Sequence, residues 1–336
     1  MKMANWITTL AIIGVMTGCA TAPSTPDWVS GTASRHPDTQ YLTGRGQAAN
    51  VDEARDRARA DLAKIFEVAI AATSEDTQSY SVDTKTPGQY VAQTTRNIAT
   101  RTDQIVRGIQ IAELWQDPAT KTQHALAVLP RLPAATSLRQ EIGRLDSATR
   151  AYLDQARAAN DLFIKIGAAS NALDAQMERQ AFQKSLQIVD ITGRGVEPEW
   201  SSAKLAADLT DLLKRVRVAT RVPAQAPPGF EEIVNGAVAA TGFMVETGDK
   251  PDFVLDAALT LQDLGLQEGW YWQRGTLEVR LTDAATNRAR GSQRWPIKTS
   301  ARDKASSQSR TLDEADMILK NDLRAAIIGF ATAKQK

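Results

Sequence analysis

The sequence predicts an α+β fold, two α/β modules with mainly antiparallel sheets joined by a long helical segment that reads as a hairpin. Three observations carry this reading. Phe253, Leu255, Ala257, Leu259 and Leu261 alternate with residues that include Asp256, Thr260 and Gln262, the period of a half-buried strand. Val51, Ala54, Ala58, Leu62, Ile65, Phe66 and Ala69 recur at helical spacing, with charged residues between them. Leu138, Ile142, Leu145, Thr149, Tyr152, Ala156, Ala159, Phe163 and Ile166 keep a four-three spacing that predicts one long helix lying along a partner helix.

At the amino terminus, Lys2 precedes the mainly apolar run from Ile7 to Met16. About ten such residues make a signal-peptide core, whereas a spanning helix needs about twenty. Met16-Thr17-Gly18-Cys19 follows and resembles the lipobox of bacterial lipoproteins, with methionine where leucine is usual. The resemblance implies that residues 1–18 are a signal peptide and that Cys19, the only cysteine in the chain, is lipidated and begins the mature protein. Each buried acyl methylene contributes about 0.8 kcal/mol, so several chains (palmitate among them) hold a protein on a membrane effectively for good. Ala20, where aspartate would imply inner-membrane retention, implies the outer membrane, with the folded body at its periplasmic face. Residues 19–27 form a polar, proline-bearing tether.

Composition narrows the function further. Lys+Arg 40 against Asp+Glu 39 gives a net charge of +1 without basic clusters, which argues against nucleic acid. A single cysteine allows no intramolecular disulfide and no thiolate metal site, so the body depends on core packing alone.

The first module spans residues 28–132. Asn50 with Glu53 three residues on gives a helix start of capping-box type. Gly44-Arg45-Gly46-Gln47-Ala48-Ala49 superficially fits a dinucleotide fingerprint, but Gln40 to Thr43 is too short and polar for a buried first strand. The glycines are expected instead to turn the chain from strand to helix. Thr73 to Pro87 reads as a loop, and Tyr90 to Arg107 is ambiguous between helix and strand, with Val91, Ile98, Ile105 and Val106 as its core contacts. Gly108 to Trp115 reads as a strand with Ile109, Ile111 and Glu113 in one phase; Asp117 to Thr120 turns it, and Thr122 to Leu129 returns antiparallel.

Trp28 after the tether, Pro37, the run Tyr41-Leu42-Thr43-Gly44-x-Gly46 and the helix through Ala54, Arg57, Ala58, Leu62 and Ala63 resemble the LPP-twenty lipoprotein family over about residues 26–132. That resemblance implies a bacterial envelope lipoprotein, some of whose relatives associate with flagellar outer-membrane structures, and it transfers no catalytic residue. The chain beyond Leu132 departs from the family pattern.

Residues 133–195 read as a helical hairpin whose second helix runs from Gln176 to Val189, with a dimeric coiled coil as the alternative. The last module, 199–333, predicts a helix from Trp200 to Lys214, a strand from Arg215 to Val222, a helix from Phe230 to Ala240 and a short strand at Phe243-Met244-Val245. The alternating strand from Phe253 follows, with its return from Trp270 to Asp283, a strand carrying Trp295 and Ile297, and a terminal helix from Leu312 to Phe330. The order of elements resembles curli-secretion and penicillin-binding-protein-activator lipoproteins at the level of fold only.

One stretch stands out as a binding candidate: Trp270, Tyr271, Trp272 and Arg274, since three consecutive aromatics on a strand cannot share one core. His36 and His124 lie in different elements without metal-ligand spacing, and no G-x-S-x-G motif is present. The sequence therefore predicts a non-enzymatic, cofactor-free and metal-free outer-membrane lipoprotein that acts as adaptor or assembly factor for an envelope structure. The partners expected are the membrane, through the N-terminal lipid, and an envelope protein, with self-association as a further option and no nucleic acid. The alternative is a peptidoglycan-binding or wall-remodelling accessory protein that uses the same aromatics as a sugar platform.

Overall fold

A computed structural model of the chain describes residues 24–80, 108–248 and 250–332. Cys19 and the expected contacts Val91, Ile98, Ile105 and Val106 lie outside the described residues. Asp27 opens a single helical turn, α1 (Asp27–Ser30), by accepting from the Trp28 and Ser34 amides at 2.8 and 3.0 Å. Trp28 is thereby buried, and its carbonyl accepts from Arg45 Nε at 2.7 Å.

Strand β1 (Tyr41–Ala48) leads into helix α2 (Val51–Tyr80). Asn50 caps that helix by accepting from the Glu53 amide at 2.8 Å, and its side-chain amide donates to the Glu53 carboxylate at 3.3 Å. Two expectations change here. The glycines lie inside β1 and turn nothing: a Cβ on Gly44 would stand 2.6 Å from the Ala58 carbonyl oxygen, and one on Gly46 would overlap the Ala54 carbonyl. Their missing side chains let strand and helix meet backbone to backbone. The helix also continues through 73–80, where polar composition suggested loop.

Strands β2 (Gln110–Gln116) and β3 (Gln123–Pro130) complete an antiparallel sheet in the order β1-β3-β2. A bulge between Ile111 and Glu113 breaks the single phase expected for Ile109, Ile111 and Glu113. Ile109 and Ile111 face the core under α2, while Glu113 turns to the opposite side, where its carboxylate accepts from Trp28 Nε1 at 3.0 Å and meets His36 Nε2 at 3.3 Å. Strand β3 is buried on both sides: Ala125, Ala127 and Leu129 join the core under α2, and Leu126 and Val128 pack on Trp28.

The middle holds two antiparallel helices, α3 (Arg131–Ala158) and α4 (Leu162–Val189). The four-three spacing predicts one helix through Ile166, but the chain breaks at 159–161. Asp161 accepts from the Phe163 and Ile164 amides at 2.8 and 3.2 Å and starts a new helix earlier than the expected Gln176. Arg131 ties the far end of the pair, donating to Asp38 O at 2.6 Å and to the Ile188 and Val189 carbonyls at 2.9 and 2.8 Å. Within the hairpin the buried Arg179 pairs with Asp146 at 2.7 Å and donates to the Val196 and Glu197 carbonyls, while Gln176 donates to Thr149.

Helix α4 serves two cores. Ala175, Phe182, Leu186 and Val189 close the core of the first module, whereas Phe163, Ile166, Leu173 and Met177 belong to that of the second. The second module adds α5 (Ser202–Leu213), β4 (Arg217–Arg221), α6 (Phe230–Ala240), β5 (Met244–Val245), β6 (Phe253–Gln267), β7 (Trp270–Asp283), β8 (Ala289–Ala301) and α7 (Lys304–Thr332). The sheet order is β5-β4-β6-β7-β8, with β4 parallel to both its neighbours and the rest antiparallel. Val218, Leu255, Ala257, Leu277, Val279, Trp295 and Ile297 point to one face, and helices α4 to α7 all pack there. Among the described residues no helix covers the opposite face.

Candidate functional site

The site grows out of the β6–β7 hairpin. Glu268 and Gly269 both take positive φ, 51° and 78°, and make the two-residue turn whose twist suits a tight hairpin. Close to the turn, a bulge between Asp263 and Gly265 shifts the register and sets Gly265 opposite Trp272. Gly265 takes a φ of 73°, a backbone conformation at the bulge that favours glycine.

Alternation then decides which candidates meet. Leu277, Val279 and Leu281 face the helices, so Trp270, Trp272 and Arg274, in the other phase, lie on the uncovered face. Tyr271 does not join them. It shares the helix-side phase, paired with Leu266 and Ala301 in the neighbouring strands, close to Lys304.

Two cations invisible in the local sequence complete the cluster. Lys298 Nζ stands 4.7 Å from the Trp272 ring centre, and the Arg302 guanidinium 4.3 Å from that of Trp270. Arg274 pairs directly with Lys298 across β7 and β8. Arg274, Lys298 and Arg302 are exposed, and none makes an ion pair or a hydrogen bond among the described residues. The nearest strand carboxylate, Asp263, is taken: on the other face it holds Lys304 at 2.9 Å, and that bond keeps its pKa below the usual carboxylate range. Recognising Lys298 required the register, because its signal in the sequence is only its alternation with Trp295 and Ile297.

Further from the turn the cations of the same face are ion-paired. Asp256 meets Arg221 at 3.4 Å, and Glu278 meets Arg294 at 3.0 Å. Arg221, Asp256, Glu278 and Arg280 line a shallow depression of about 240 Å³. The face thus has an aromatic end near the turn with unpaired cations and a remainder whose cations are ion-paired.

The groups that could have suggested chemistry have structural partners. His36 meets Glu113, and His124 packs on Trp115 with ring centres 5.2 Å apart. Among the described residues no cluster of three His, Cys, Asp or Glu could hold a metal, and no helix is long and apolar enough to cross a membrane.

Trp28 locked beneath its sheet and the paired glycines against α2 belong to one contiguous segment, and that segment has relatives. Residues 26–130 match the LPP20 lipoprotein family. That match supports a lipoprotein of the cell envelope. No curated protein matches the chain. Among solved structures it is similar to the secreted protein HP1454 from Helicobacter pylori, at 12% identity over 89% of this chain and 100% of that one, with a TM-score of 0.42. A minor lipoprotein from Acinetobacter baumannii aligns at 14% identity over 34% of this chain and 94% of its own, TM-score 0.28. PelC from Paraburkholderia phytofirmans, solved as a dodecamer, aligns at 15% over 36% and 88%, TM-score 0.25. Everything after residue 130, including the cationic-aromatic end of the second sheet, lies beyond the LPP20 match.

Proposed function

We propose that this chain is an outer-membrane lipoprotein, held by lipid at Cys19, whose body works at the periplasmic face as a non-enzymatic adaptor or assembly factor. The observation that carries the reading is the uncovered face of the β5-β4-β6-β7-β8 sheet. A sheet with every helix on one side leaves its other side for a partner, and from Ala257 onward β6 also lacks a neighbour on the β4 side among the described residues. A face of strand ends, aromatics and paired charges suits contact with a protein. The second reading, a wall-binding accessory protein, draws support from Trp270 and Trp272 lying side by side on that face. It is the weaker, because the carboxylates sharing the face, Asp256 and Glu278, are turned to arginines.

Photocrosslinking in intact cells tests this, with a photoreactive residue at Thr276 on the uncovered face and one at the exposed Lys64 on α2 as control. The adaptor reading expects a discrete protein adduct from position 276 and none from 64. Adducts to wall fragments would replace it with the second reading, and equal sparse labelling at both positions would remove the face as a contact surface.

A further inference from the structure

We propose that the tip of the β6–β7 hairpin is a shallow wedge that enters the headgroup layer of an anionic bilayer, with Arg274, Lys298 and Arg302 as a collar for the lipid phosphates. The inference goes beyond the adaptor reading and does not depend on it.

The first argument is that the tip is apolar on both faces. Trp270 and Trp272 occupy the uncovered face, while Leu266, 59% exposed, and Tyr271 occupy the other. A sugar platform or a flat protein interface needs one face only, whereas a wedge entering an interface needs both. The second argument is electrostatic. Like charges directly opposite in a ladder destabilise it, yet Arg274 faces Lys298 with no carboxylate beside them. Arg302 adds a third cation at the same end. An anion supplied from outside removes that cost. Indoles with their amphipathic rings, and long basic side chains with apolar stems, both favour the headgroup level. Finally, Glu268 at the turn itself holds the tip among headgroups and out of the acyl core.

The test uses the full chain with Cys19→Ser, so that Gln267→Cys at the tip carries the only thiol and a polarity-sensitive dye. A matched chain carries the dye at Asp211→Cys, an exposed position on α5. With vesicles containing phosphatidylglycerol, the emission at position 267 should shift to the blue and be quenched by lipids bearing a headgroup quencher, while position 211 stays unchanged. Changing Arg274, Lys298 and Arg302 to Gln should raise the lipid concentration for half-effect roughly tenfold or more, and Trp270→Ser with Trp272→Ser should abolish the shift. An unchanged spectrum at 267, an equal shift at 211, or an equal response to purely zwitterionic vesicles would overturn the proposal. Any of these would leave the crosslinking result at Thr276 untouched, so the two readings fail separately.

Discussion

Asp174 in α4 carries a carboxylate oxygen that is buried with no hydrogen-bond partner. Burial, reinforced by the charge of Glu178 one turn on, pushes its pKa up to about 8. The unfolded chain gives up that proton near 3.8. Between these values the folded state binds more protons than the unfolded state, so the contribution of Asp174 to stability falls as pH rises from about 4 to about 8. Asp174→Asn should therefore flatten the urea midpoint against pH across that window and stabilise the protein at pH 8 by about 1–3 kcal/mol. Parallel profiles for the two proteins would refute it. Asp283 works in the opposite sense. Burial pushes it up, but hydrogen bonds from Arg290 and the Thr286 amide outweigh burial and hold it at about 2. What it contributes is present above its unfolded value of 3.8 and is lost as pH falls towards 2.

At the scale of elements, the meeting of β1 and α2 gives a sharper test. Gly46→Ala places a methyl into the backbone of α2, which cannot yield as a side chain would, and should cost about 1–3 kcal/mol or more. Gly143→Ala, inside α3 with nothing within 4 Å of the added carbon, should stabilise by about 0.5–1 kcal/mol. Denaturant midpoints of the two variants moving in the same direction would contradict this account. The two glycines also mark how far the sequence could be read. Strands β6 and β7 were legible because each has one buried face, and period two then places Trp270, Trp272 and Arg274 together and sends Tyr271 to the other side. The bulge in β2 was not legible, since a one-residue insertion leaves no compositional trace but turns Glu113 towards Trp28. The break at 159–161 was hidden because Phe163 and Ile166 continue the apolar spacing on the next helix. Lys298 and Arg302 were out of reach, because their membership depends on strand register and on the β8–α7 connection.

At the scale of the molecule, the two modules are not separate bodies on a string. Helix α4 gives Phe182 and Leu186 to one core and Phe163 and Leu173 to the other, so neither core survives the loss of this helix. Unfolding should be one cooperative transition. A probe reporting on Trp28 and one reporting on Trp295 should give coincident urea curves, and two resolved midpoints would show the modules to be independent. The shared helix also sets an order of events in biogenesis. Synthesis from the amino end delivers residues 26–130 early, but their core cannot close until residues 175–189 have followed. Roughly the first half of the polypeptide must wait with its alanine- and leucine-rich core surface uncovered. The amino-terminal segment is thus first to appear and late to fold, and it needs protection from aggregation for the length of that delay.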